Sequence, residues 1–177
     1  MQIRLVSWNV NGLRAVSAKP EWRWFDETDA HIVGLQETKA QPEQLAPEVA
    51  QPAGWEAHWS SSVVKKGYSG VAVFSRLKPL AVRAELPDTA WQGEGRLLHL
   101  EFPQFHYFNG YFPNGGAEEL DDNGKPTGRF KRVPYKMGFF DAFLNYAEEC
   151  RKEKEKIKGE KHMKDKIIEL SARLAKD

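Results

Sequence analysis

Ile32-Val33-Gly34-Leu35-Gln36-Glu37-Thr38-Lys39 is an apolar run that stops abruptly at a carboxylate. A stretch so rich in Val, Ile and Leu reads as a buried strand, and open α/β sheets place ligands just beyond the carboxyl ends of their strands. Glu37 is therefore a candidate site residue, against the plain alternative of a strand-end glutamate facing water. A second strand of the same design, Ile3-Arg4-Leu5-Val6-Ser7-Trp8, runs into Asn9-Val10-Asn11-Gly12. Parallel pairing of the two strands would bring Asn9 beside Glu37. Such an oxygen-rich pair suits Mg²⁺, a hard cation that takes one or two carboxylates and keeps several waters. Asn11-Gly12 is equally an ordinary turn signal.

Further along, Pro20 to Glu27 suggests a short helix over the sheet, and Pro42 begins another. Strands are expected at Ala30 to Gln36, Trp55 to Trp59, Gly70 to Ser75, Leu80 to Leu86, Arg96 to Phe102 and Phe105 to Phe112. A β-α-β start followed by closely spaced strands predicts an α/β chain with a mixed β-sheet and flanking helices. Glu118 to Gly128, with Asp121-Asp122-Asn123-Gly124, reads as a surface loop. Tyr135 to Lys152 reads as a helix whose apolar stripe is Phe139, Phe140, Phe143, Leu144 and Tyr146, a core face rather than a base-stacking platform. From Glu153 the composition turns to alternating Lys and Glu, with Met163, Ile167, Leu170 and Leu174 at helical spacing. Two units are thus expected: 1–152, and a charged amphipathic tail over 153–177, either a solvated helix docking a narrow stripe or a DNA-binding arm.

The 177 residues, 41% of them hydrophobic, can build one domain with a real core but are few for a four-layered sandwich. Cys150 is the single cysteine, which excludes an intramolecular disulfide and fits a reducing compartment. No secretory signal is expected, and no apolar run reaches membrane-spanning length, so a cytoplasmic protein without a membrane partner is predicted. The net charge of +1 hides an asymmetry: residues 151–177 hold ten basic and six acidic side chains, leaving sixteen basic against nineteen acidic in the first 150. Affinity for nucleic acid rests on neutralising phosphate, so a slightly acidic body needs a local basic patch, and the overall charge decides nothing.

Four separated segments together resemble one family: Ser7-Trp8-Asn9-Val10-Asn11-Gly12-Leu13-Arg14, Leu35-Gln36-Glu37-Thr38-Lys39, Gly67-Tyr68-Ser69-Gly70-Val71-Ala72 and Asn109-Gly110-Tyr111-Phe112-Pro113-Asn114-Gly115. Their order and spacing are similar to those of the exonuclease III type of apurinic/apyrimidinic endonuclease, within the endonuclease/exonuclease/phosphatase superfamily. The resemblance implies the N-terminal part of a four-layered α/β sandwich. It also implies a Mg²⁺-dependent DNA repair phosphodiesterase, with Mn²⁺ as a substitute, acting on double-stranded DNA at abasic sites or 3′ ends.

By that resemblance Glu37 and Asn9 form the metal set, Glu37 as the ligand and Asn9 beside it holding the ligand network or a phosphate oxygen, and Tyr111 reaches the scissile phosphate. Asn114 contacts a substrate phosphate, and Tyr68 is the exposed loop residue that meets DNA. Lys39, Arg96 and Asn11 complete the DNA-facing set. Each keeps a plain reading too: Tyr111 as a packing aromatic, Tyr68 as hairpin material, and Arg96 as the partner of Glu85 or Glu94.

The family's Gly-Asp-Phe-Asn strand end and Ser-Asp-His ending do not occur in this sequence. Residues that act as one catalytic unit fail together, so the polypeptide alone is expected to have little or no nuclease activity. Sheet-on-sheet packing with part of one sheet missing would expose an apolar face, which predicts self-association or a complementing chain. A non-catalytic DNA- or protein-binding remnant is the alternative function, and a superfamily phosphatase acting on a small substrate is a third.

Overall fold

The computed structural model of the chain describes residues 2–174. The expected buried strand forms β2 (Ile32–Gln36), which pairs in parallel with β1 (Leu5–Asn9), placing Asn9 opposite Gln36. Between them the chain crosses over through α1 (Leu13–Ser17), a 3-10 turn at Pro20–Arg23 and α2 (Trp24–Glu27). A further 3-10 turn at Pro42–Gln44 and α3 (Pro47–Ala50) lead into β3 (Glu56–Ser60). β4 (Val71–Ser75) then inserts between β2 and β3, antiparallel to both, so the first sheet runs β1-β2-β4-β3 and is mixed as expected.

A second, antiparallel sheet follows in the order β5 (Ala81–Ala84), β6 (Leu97–Glu101), β7 (His106–Gly110). The period of two along each strand sorts the residues into layers. Val33, Leu35, Ala72 and Phe74 face the short helices, where Leu13, Phe25 and Trp55 complete one core. Ile32, Val71 and Val73 face the other way and meet Leu98 and Leu100 of the second sheet. The outer face of the second sheet, Leu97 with Phe108 and Phe112 beside it, packs on Phe139, Phe143 and Tyr146 of α4 (Val133–Leu174). The molecule is a four-layered sandwich of helices, sheet, sheet and helix.

The two sheets approach closely at Gly34. A Cβ there would overlap the Tyr107 hydroxyl and lie 2.9 Å from Asn109 Oδ1, so the strand interior needs a glycine at this point. Asn109 uses the space: its Nδ2 donates to the backbone carbonyls of Leu35 and Ala72 at 3.0 and 2.8 Å, and its Oδ1 accepts from Gln36 Nε2 at 2.5 Å.

Three expectations change. The 118–128 stretch is not an unpaired loop but a hairpin, β8 (Glu118–Leu120) with β9 (Pro126–Phe130). The turn chemistry itself is as read: Asp121 Oδ1 accepts from the amides of Asn123 and Lys125 at 2.9 and 2.8 Å, which closes the turn between the two strands. The two expected C-terminal helices are one helix without a break at Lys152–Glu153. Lys and Glu are good helix formers, and Arg151 bridges Glu148 and Glu155 at 2.7 and 2.6 Å across that point. Of the apolar stripe, Phe139, Phe143 and Tyr146 pack on the sheet, whereas Phe140 and Leu144 are exposed on an adjacent face with Val133 and Met137. The side chains of Ile167, Leu170 and Leu174 lie outside the described residues, and the described part of the tail exposes Met163.

Candidate active site

Side-by-side pairing of β1 and β2 carries Asn9 and Glu37 to one rim, and the backbone locks them there. Val10 N donates to Gln36 O at 3.0 Å, Gly12 N to Glu37 O at 2.7 Å and Leu13 N to Thr38 O at 2.9 Å. On the other side Thr38 N donates to Gly70 O and Lys39 N to Ser69 O, at 3.0 and 2.9 Å. Gly70, at φ +87°, is required because any Cβ would strike the Thr38 side chain. The Gly67-to-Ala72 segment therefore acts as the clamp that shapes the turn after β2. Asn11, Glu37 and Lys39 all take left-handed backbone angles, with φ of 47°, 53° and 52°. Non-glycine residues adopt this conformation at a cost, and clusters of them mark functional sites.

The Glu37 carboxylate is held on several sides. Asn9 Nδ2 donates to Oε1 at 2.8 Å, Lys39 Nζ lies 3.0 Å from Oε2, and the nearby Tyr111 phenol favours the charged carboxylate. Partial burial works against the charge, but Asn9, Lys39 and Tyr111, together with the Lys39 ammonium, outweigh it and hold the carboxyl below the usual range. Glu37 is thus ionised at neutral pH. Burial, and then the Glu37 carboxylate, push the Tyr111 phenol upward, so Tyr111 remains a proton donor. Asn9 Oδ1 accepts from the Asn11 amide at 3.1 Å, which fixes its orientation and leaves its nitrogen toward Glu37. Lys39 Nζ also donates to Asn11 Oδ1 at 2.5 Å.

Arg96 is buried, and each of its three guanidinium nitrogens makes a hydrogen bond. It donates to Glu94 Oε2 at 2.6 Å, to the Tyr111 carbonyl at 3.0 Å and to the Tyr68 hydroxyl at 2.6 Å, and lies 5.3 Å from the Tyr111 ring centroid. The pairing with Glu94 that the sequence allowed is present, while Glu85 instead accepts the amides of Gly93 and Gly95 at 2.7 and 3.0 Å. Arg132 adds a second guanidinium, bonding Tyr68 Oη at 2.7 Å and Glu94 Oε1 at 2.7 Å. Tyr68 Oη accepts from both, which leaves its own proton free to donate. Asn114 is exposed on the loop after β7, its Oδ1 accepting from Gly116 N at 3.0 Å. Arg132 was missed because it is remote in sequence from every motif, and Glu94 was foreseen only as a partner of Arg96; the second ion pair, between Glu94 and Arg132, appears only in the fold.

A half-open cleft of about 310 Å³ borders the site between Lys39 and Tyr68, with Lys66 on its wall. An ionised carboxylate, a protonated phenol, a lysine and a basic cleft converge at the ends of the parallel strand pair.

Residues 6–157 match the family described as Endonuclease/Exonuclease/phosphatase family. The chain belongs to this family. A protein named Exodeoxyribonuclease from Bacillus subtilis (strain 168) is 38% identical over 155 residues, covering 86% of this chain and 55% of that protein. One named DNA repair nuclease APEX1 from Danio rerio is 36% identical over 122 residues, 67% of this chain and 39% of its own. Among solved structures, the 3′ phosphatase NExo from Neisseria, bound to product DNA hairpin, superposes with a TM-score of 0.67 at 26% identity, over 85% of this chain and 53% of that one. The endonuclease/exonuclease/phosphatase fold read from the four motifs is thus the fold observed, and the chain spans about half the length of the Bacillus relative. No helix among the described residues is long and apolar enough to cross a membrane.

Proposed function

We propose that this chain carries the first half of a divalent-metal-dependent DNA phosphodiesterase site of the exonuclease III type, acting on duplex DNA at abasic sites or 3′ ends. The observation that carries the reading is the ionised Glu37 carboxylate gripped by Asn9, Lys39 and Tyr111 at the strand ends. Its hard, charged oxygens fit Mg²⁺, or Mn²⁺ in its place; the Asn9 oxygen is spent on Asn11, so Asn9 orients Glu37 rather than ligating. When bound there, the metal supplies charge neutralisation on a phosphate oxygen.

The chain's own groups do the rest. Tyr111, kept protonated and braced by Arg96, donates to a phosphate oxygen, and Lys39 adds positive charge beside it. Tyr68, tethered by two guanidiniums, presents its free O–H toward the DNA backbone, while Lys66 lines the adjoining cleft. Arg96 positions Tyr68 and Tyr111 without facing DNA itself. Asn114 is exposed where a phosphate could meet it, and Asn11 holds Lys39. Residues 153–174 continue α4.

The remaining catalytic groups come from a second segment docking at the open end of the sandwich. There the outer edges of β1 and β7 are unpaired among the described residues, and Leu5, Phe112 and Tyr107 line a shared gap. Incision of an abasic-site duplex in Mg²⁺ tests the reading. The chain alone is expected to give little product, and addition of the C-terminal half of the Bacillus relative is expected to restore cleavage that Glu37→Gln abolishes. Cleavage by either mixture that survives Glu37→Gln would overturn it. Duplex binding by the chain with no cleavage in the complemented mixture would favour the non-catalytic remnant.

A further inference from the structure

On the opposite face of the second sheet, far from the strand-end motifs, β6, β7 and α4 bring together His99, His106 and Cys150. One donor atom from each lies within 4.8 Å of the others. We propose that these three residues form a binding site for a borderline transition-metal ion of the zinc class, a site separate from the Glu37 centre.

The hydrogen bonding around the two imidazoles supports this. His99 is wholly buried, stacked on Phe108 with 4.4 Å between ring centroids, and its Nδ1 meets the Tyr146 hydroxyl at 2.7 Å. Its Nε2 is thereby aimed at His106 Nδ1, 2.8 Å away. A metal-ligating histidine ordinarily has its second nitrogen fixed by such an outer partner. Two neutral rings joined in this way leave His106 Nε2, which is buried and has no partner. Whichever tautomers are chosen, one polar nitrogen remains unsatisfied. An ion that takes one nitrogen from each ring removes the ring-to-ring bond and frees the His106 ring to turn its remaining nitrogen outward.

The donor set also specifies the class of metal. Two imidazole nitrogens and a sulfur suit Zn²⁺ or Co²⁺, whereas Mg²⁺ and Ca²⁺ demand oxygen. Burial keeps the Cys150 thiol protonated in the metal-free protein. Binding replaces that S–H bond with an S–metal bond and releases the proton to solvent. A route exists: a surface cavity of about 380 Å³ reaches Cys150 between Arg83, Tyr146, Glu149 and Glu153. A water entering through that cavity would complete the fourth position. Arg83 and Lys154 are the nearby cations and Glu101 and Glu153 the nearby anions, with Lys154 already bonded to Glu101 at 3.1 Å. The ion would tie α4 to β6 and β7, acting as a clamp on the outer helix.

Titrating Co²⁺ into the metal-free full chain tests this. One equivalent is expected to produce thiolate-to-cobalt charge-transfer absorption and tetrahedral d–d bands, bleached by Zn²⁺ and unmoved by excess Mg²⁺. Cys150→Ser should abolish the charge-transfer band and His106→Gln should weaken binding about tenfold or more. Glu37→Gln should leave both bands unchanged, which separates this site from the proposed catalytic one. Zn²⁺ should raise the thermal midpoint of the unsubstituted chain but not of Cys150→Ser. The absence of a charge-transfer band in the unsubstituted chain overturns the proposal whether or not the variants fold, as does a band that persists in folded Cys150→Ser.

Discussion

β1 and β2 lie side by side in one sheet and are written in similar residues, yet they occupy opposite environments. Leu5 is 53% exposed, whereas Ile32, its partner in register, is fully buried. The difference is one of neighbours. β2 has β1 and β4 on its edges, helices on one face and β7 on the other; among the described residues β1 has an unpaired outer edge. The same contrast divides α4, which buries Phe139 against the sheet and leaves Val133, Met137, Phe140 and Leu144 uncovered. An unpaired strand edge and an exposed apolar helix stripe are each the kind of surface that proteins ordinarily cover. The chain therefore has a closed centre and an open end, and the site sits on the rim between them.

The comparison is most easily broken at Gly34. Gly34→Val drives a branched side chain into Tyr107 and Asn109, and should cost about 3 kcal/mol or leave the chain unfolded, read as the urea midpoint. Native-like stability in that variant would mean that the two sheets are not in close contact. Asn109→Leu should come next, losing about 2 kcal/mol because the Leu35 and Ala72 carbonyls and Gln36 forfeit a buried partner.

A smaller effect should appear with pH at His58 on β3. Burial holds its imidazole below 6.5, against the smaller opposing influence of Glu56. The unfolded chain then binds the proton more readily than the folded one, so His58's share of the stability is complete above pH 6.5 and falls as the pH drops toward its lowered folded value. Urea midpoints measured from pH 7 to pH 5 should decline less steeply in His58→Gln than in the unsubstituted chain. A slope unchanged by that substitution would contradict the burial.

At the open end the smallest change in stability is expected. Phe140→Glu combined with Leu144→Glu should shift the unfolding free energy of the chain by no more than about 0.5 kcal/mol for each surface position. The same pair should suppress restoration of cleavage by a complementing half. Large destabilisation would show that this stripe is already covered.

Much of the site could be read along the chain. Asn9 ends β1, and Glu37 and Tyr111 directly follow β2 and β7, so the candidate residues lie at strand ends, where open α/β sheets generally bind ligands. Tyr68 and Lys39 lie within the same local motifs. Arg132 could not be read in this way, because its role depends on an ion pair with Glu94, 38 residues away, whereas the local pairing of Glu94 with Arg96 was open to the sequence. Arg96 was visible as a basic residue near the site; its burial and its bonds to Glu94, Tyr111 and Tyr68 were not. The His99, His106 and Cys150 cluster is equally invisible in one dimension, since its spacing matches no metal-binding motif and a helix must fold back over two strands to assemble it.

The sequence by itself determined the mixed α/β class, the order of strands, the turns and the family, because each is encoded in local periodicity and short motifs. It also placed the charged run that lengthens α4. Tertiary structure decided which apolar residues are covered, that residues 118–130 pair as a hairpin, that the C-terminal helix is continuous, and that Arg96 braces the site from within. Those outcomes depend on burial, and burial belongs to the neighbours a residue acquires when distant segments pack.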